Sequence, residues 1–135
     1  MTIDRTTPRY WRSVGVWMAA AGGLLMLVNA ARAFADPEGF ARYLGLPLAA
    51  GRDAGLVHIY GLRALFIGLL VGTLLLLRER GVLWIVAAVA IVMPVGDAWL
   101  TSQAGAPILT VGRHVAIAVF LGMTALLLRR DAACV

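Results

Sequence analysis

An all-α integral membrane fold, a left-handed bundle of four transmembrane helices, is what this sequence predicts, and three observations predict it. Of its 135 residues 61% are hydrophobic and only 14% are charged, with a mean hydropathy of +0.88. A soluble domain of this length needs more polar surface than that composition supplies. Four stretches, near residues 14–35, 54–77, 81–100 and 108–128, are each long enough to cross a hydrocarbon core of about 30 Å at about 1.5 Å per residue. Finally, all twelve basic residues are arginines, and most of them flank these stretches, where positive charge sets topology. One domain, residues 1–135, accommodates all four spans.

The first span, "VGVWMAAAGGLLMLVNAARAFA", follows a basic segment and ends in Ala33-Phe34-Ala35, the pattern of a signal-peptidase site. Asn29 and Arg32 directly before that site are foreign to a cleaved signal, so the span is read as a retained helix. The loop at 36–53 opens with Asp36, able to cap a short helix that has Pro37 at its first position. Phe40, Tyr43 and Leu44 then fall at i, i+3 and i+4, an amphipathic pattern for a helix lying on the membrane surface as a lid. Asp36, Phe40 and Tyr43 are its key residues.

Span two carries Gly61, Gly68 and Gly72, a small-residue stripe with one G-x-x-x-G, suited to close helix packing. "RERG" (78–81) is a tight turn into span three, where Pro94 and Gly96 predict a kink beside Asp97. "TSQAGAP" (101–107) leads into span four. The lone Cys134 permits no internal disulfide.

Arginine placement orients the bundle. Arg5, Arg9, Arg12, Arg78, Arg80, Arg129 and Arg130 gather at one side, against Arg42 and Arg52 in the loops of the other. The positive-inside rule then puts both termini in the cytoplasm, with the chain in the plasma membrane. Trp11, Trp17, Trp84 and Trp99 lie towards span ends, as an interfacial belt requires. The net charge of +5 is thereby absorbed by topology, and no basic stripe interleaved with aromatics points to nucleic acid.

The remaining polar residues sort into one leaflet. Asn29 and Arg32 end span one; His58, Tyr60 and Arg63 occupy the outer third of span two; Asp97 nears the outer end of span three; Thr110, Arg113 and His114 open span four. At about 1.5 Å per residue, Arg63 lies roughly 13 Å below the start of its span, Arg113 and His114 about 8–10 Å, and Asp97 about 5 Å. Ionisable groups at membrane depth cost about 2.5–3.5 kcal/mol each, and persist where they face the bundle interior, pair, or line a cavity. Asp97, the sole acid within the spans, is the expected counter-ion for Arg63 or Arg113. Successive residues turn by about 100°, so Tyr60 and Arg63 share a face while His58 sits about 140° from Arg63, bordering the glycine stripe. Thr110 is one turn from Arg113 and His114.

Two accounts of this cluster stay open. One is a structural ion pair that fixes helix register. The other is a pocket in which Asp97 with His114 or His58 transfers a proton, while Arg63 and Arg113 clamp an oxyanion or carboxylate, and Tyr60, Asn29, Arg32 and Thr110 bind substrate. His58, His114 and Asp97 are acceptable metal ligands, but the neighbouring arginines oppose a cation and no metal is expected. No phosphate-binding glycine loop or nucleophile elbow is present in the sequence.

"ADPEGFARYLGLP", "VHIYGLRALFIGLL", "PVGDAW" and the late "GRH" together resemble a family of small four-helix membrane proteins of unknown function, broadly similar to the DoxX-like group, over about residues 29–128. The resemblance implies a four-helix bundle and draws attention to Asp36, His58, Arg63, Asp97 and His114. Some DoxX-like proteins are linked to quinone or redox work.

The function expected is a small membrane enzyme performing isomerisation, cyclisation or hydrolysis on a lipophilic small molecule by acid–base chemistry, without a cofactor. A non-catalytic quinone- or lipid-binding subunit, or a scaffold of a membrane complex, is the alternative. A small transporter, which would work as a homodimer, needs a carboxylate nearer the membrane centre than Asp97.

Overall fold

The computed structural model describes residues 10–48 and 54–133. Arg5, Arg9, residues 49–53 with Arg52, and Cys134 lie outside the described residues. Among the described residues six helices follow one another: α1 (Val14–Ala35), α2 (Pro37–Leu44), α3 (Ala54–Leu77), α4 (Arg80–Ala90), α5 (Val92–Gln103) and α6 (Ile108–Ala133). No strand occurs among the described residues. Helices α1, α3, the α4–α5 pair and α6 are long and apolar enough to cross a membrane, which makes this a four-helix transmembrane bundle. Its outer surface is largely apolar, with Leu24, Phe66, Leu76, Val89, Val119 and Leu126 among the exposed side chains. In water such a surface would be an aggregation hazard; in lipid it is the required solvent-facing side.

Local chemistry sets each boundary. The Ser13 hydroxyl accepts from the Val16 N–H to cap α1, and its O–H donates to Asp131 near the end of α6, tying the two chain-terminal helices together. Asp36 closes α1 and opens α2: its N–H donates to the Arg32 carbonyl (2.9 Å), while its carboxylate accepts from the Gly39 N–H (2.8 Å) ahead of the first turn begun by Pro37. Gly45 ends α2 at φ +87°, where a side chain would be strained and a Cβ would also lie 2.7 Å from Thr110 Cγ2. Arg78, at φ 61°, makes the tight turn from α3 to α4.

The third span is broken at Ile91, one turn before the expected site at Pro94 and Gly96. Pro94 has no N–H for the Ala90 carbonyl four residues earlier, and its ring crowds that carbonyl, so the disruption falls on the preceding turn. The helix also runs to Gln103, three residues past the expected end, and α6 runs to Ala133 rather than 128.

Helix α1 packs along α3, and α6 packs against α4, α5 and α1, while α2 lies across α1 and α3 at one end. At the α1–α3 crossing the backbones nearly touch: a Cβ on Gly68 would lie 2.6 Å from Leu27 Cδ2 and 3.1 Å from the Gly23 carbonyl oxygen. Gly61 also lies at this interface, but Gly72 meets nothing, so the expected G-x-x-x-G is not the contact motif. Gly68→Val should therefore push α1 from α3 and cost about 1–3 kcal/mol, read as a lower melting temperature in detergent, whereas Gly72→Val should not.

Two small cores bracket the bundle. Away from α2, Val16, Val71, Leu74, Leu75, Leu83 and Leu128 pack with Tyr10, whose ring lies 4.8 Å under the Arg80 guanidinium. Burial raises the Tyr10 phenol above its usual pKa, so it stays neutral. At the other end Phe40 and Ala41 of α2 pack with Ala33 and Val57.

Candidate functional site

Between these two cores lies a cavity of about 540 Å³. Along α6 its lining extends from Arg113 to Thr124, along α1 from Met18 to Asn29, and along the broken span from Leu83 to Asp97. The helical rise makes this a channel about 17 Å long. Its walls are small or apolar for most of that length, with Ala19, Gly22, Ala87, Ala90, Ile117 and Phe120 as representatives. The polar lining residues concentrate at the α2 end: Asn29, Tyr43, Tyr60, Asp97, Arg113 and His114. The break at Ile91 lies within this wall, and Ala90, Met93, Pro94 and Asp97 around it all face the cavity.

Asp97 and His114 form the centre of the polar end. His114 Nδ1 lies 3.9 Å from Asp97 Oδ2. The imidazole is buried, and its Nε2 lies 3.4 Å from the Leu44 carbonyl oxygen, the last residue of α2. A carbonyl can only accept, so Nε2 is the donating nitrogen, and Nδ1 is left facing the carboxylate. The Asp97 side chain remains 36% exposed. One turn on, Thr101 is buried and its hydroxyl donates to the Asp97 carbonyl (2.7 Å), which stiffens the backbone that carries the acid.

Tyr43 of α2 is the second focus. The Arg113 guanidinium lies 4.1 Å and the Arg32 guanidinium 4.4 Å from the centre of its ring, with Arg32 also 5.8 Å from Phe40. Among the described residues, neither arginine has a carboxylate within ion-pair distance. Phe40 holds this corner by contact with both Tyr43 and Tyr60, at ring distances of 6.1 and 5.5 Å.

The residues expected at the site are thus divided. Asp97, His114, Tyr60, Asn29, Arg113 and Tyr43 line one end of the cavity, and Arg32 reaches it through Tyr43. His58 is instead stacked on Phe34 at 5.4 Å, and Arg63 is exposed, neither lining the cavity. The partner of Asp97 is His114, not Arg63 or Arg113. Thr110 is buried against Gly45 and away from the cavity, and Asp36 serves as a helix cap. The Leu44 carbonyl and Thr101 are additions. A backbone carbonyl has no sequence signature, whereas Thr101 stands four residues after Asp97, the spacing at which a hydroxyl bonds back along a helix.

Neither the curated proteins nor the solved structures compared with this chain match it. A family does match, across residues 23–128, the region that holds most of the cavity lining, the α2 helix and every polar lining residue: the chain belongs to the family described as a domain of unknown function, DUF4267.

Proposed function

We propose that this protein is a membrane enzyme that holds a lipophilic small molecule in the bundle cavity and moves a proton on it, with Asp97 and His114 as the acid–base pair. The observation that carries this reading is the position of the pair: both groups line the cavity at the point where its apolar channel becomes polar. At 3.9 Å the pair is too far apart for a direct hydrogen bond, so each keeps capacity for a third group presented from the channel.

The reaction class that suits the pair is isomerisation. Asp97 Oδ2 takes a proton from a C–H beside a carbonyl, and His114 Nδ1 gives one back at a second position of the same molecule. Asp97 is then protonated and His114 neutral, and loss of a proton from Asp97 to solvent with uptake of one by His114 restores the start. Asn29 and Tyr60, at the same end, offer neutral donors to an oxygen that gains charge in between. The arginine distribution supports a plasma-membrane orientation with α2 on the outer face and both termini cytoplasmic.

The test is proton exchange. Purified protein incubated with a total membrane lipid extract in deuterium oxide should add one or more mass units to a defined lipophilic species. His114→Gln should abolish that labelling. Retention of a co-purifying quinone or lipid with no labelling in the wild type would replace the enzyme reading by a non-catalytic binding subunit.

A further inference from the structure

Resting on the reading of the cavity as a lipophile site, we infer that its ligand is a long-chain amphiphile with an anionic phosphate or carboxylate head, and that Arg32 and Arg113 receive that head at Tyr43. Three features of the molecule lead there.

The first is shape. The cavity is elongated, about 17 Å from its polar end to Thr124, and its walls are apolar for most of that length, so it suits an extended alkyl tail lying along an apolar bore with one polar end.

Charge is the second. The two guanidiniums are measured from the same ring centre, at 4.1 and 4.4 Å, so they lie no more than 8.5 Å from each other. Two N–H···O contacts of about 2.9 Å, one from each arginine, let one phosphate or carboxylate engage both. The single carboxylate that lines the cavity is already matched with His114, so it does not neutralise them. A cation–π contact occupies the face of a guanidinium and leaves its N–H edge able to donate.

The third is alignment. Arg113 and Tyr43 line the same end of the channel as Asp97 and His114, so a head held by the arginines sets the first atoms of the chain beside the proton-transfer pair and the tail along the apolar bore. The chemistry then falls on the part of the ligand next to its anionic group.

The experiment is binding to the purified full chain in a neutral detergent, followed by calorimetric titration and thermal shift, with hexadecyl phosphate and palmitate as probes below their own micelle concentrations. Hexadecanol and inorganic phosphate are the comparators. Both anionic single-chain probes should bind at least tenfold more tightly than hexadecanol, and Arg113→Gln and Arg32→Gln should each erase most of that margin while leaving hexadecanol binding unchanged. Arg113→Lys, keeping the charge but not the fork, should lie between. Alkyl phosphates should tighten with length and level off near the capacity of the bore. Equal binding of hexadecanol, or arginine variants that retain the margin, would overturn the anionic head. Inorganic phosphate binding as tightly as the alkyl phosphate would reduce the site to a free-phosphate receptor. If no lipophile binds, the cavity reading beneath this inference fails as well; if hexadecanol alone binds, only the head-group assignment does.

Discussion

Phe40→Ala is expected to lower the unfolding free energy by about 3–5 kcal/mol, the range for removing a fully buried phenylalanine. Phe40 is the largest of the fully buried side chains, 1% exposed, and it is the point at which α2 is fastened to α1 and α3. In a chain of this size the loss corresponds to a melting temperature in detergent more than ten degrees lower, at roughly 3–5 °C per kcal/mol. Phe40→Leu, which keeps most of the buried volume, should recover the larger part of it. The effect has a second, local readout. With Phe40 gone, α2 loses its anchor, and the exposed Arg42 on that helix becomes a faster site of tryptic cleavage below the melting transition. Loss of stability with unchanged cleavage at Arg42 would mean that Phe40 supports the bundle without fastening α2.

That result bears on the site, because α2 contributes groups to it. It supplies the Leu44 carbonyl that sets the His114 tautomer and the Tyr43 ring that gathers two arginines. The sequence made α2 visible through Asp36-Pro37 and the spacing of Phe40, Tyr43 and Leu44, which are local signals of capping and amphipathicity. The four spans were visible for an equally direct reason: hydrocarbon accepts a backbone only when its own hydrogen bonds are closed, so long apolar runs must be helices.

Pairing was less legible. Depth follows from residue count, and of the residues it collected at one level, Asp97, His114, Arg113, Tyr60 and Asn29 line one end of the cavity, whereas His58, Arg63, Arg32 and Thr110 do not. Azimuth about each helix follows from the 100° turn, but which neighbour faces which flank depends on the order of helices around the bundle. Arg63 has suitable depth and shares a face with Tyr60, yet it is exposed, so Asp97 meets a histidine from α6 instead. The cavity itself was hidden because it is made of missing side chains. Ala19, Gly22, Ala87 and Ala90 read in the sequence as packing residues, and only their common position along one cavity turns them into a channel wall. The break was displaced from Pro94 because a proline acts on the carbonyl four residues back.

Asp97→Asn decides between mortar and chemistry. Had Asp97 neutralised a buried arginine, its loss would strand a charge that cannot be shed and cost about 3–5 kcal/mol. Its partner is His114, which can become neutral and keeps its bond to the Leu44 carbonyl, and the carboxylate is 36% exposed at a contact of 3.9 Å. The expected stability change is therefore small, within about 1 kcal/mol and about 5 °C of the wild-type melting temperature. Deuterium incorporation into the bound lipophile, by contrast, should fall by about 10²–10⁴-fold, the usual contribution of one positioned acid or base. Binding of hexadecyl phosphate should be retained, since the arginines at Tyr43 and the apolar bore are untouched. A fall in melting of ten degrees or more would make the pair a structural strut. Preserved exchange would remove Asp97 from the reaction and leave His114 to act alone. Stability retained, exchange lost and ligand still bound is the combination that only a proton-transfer role explains.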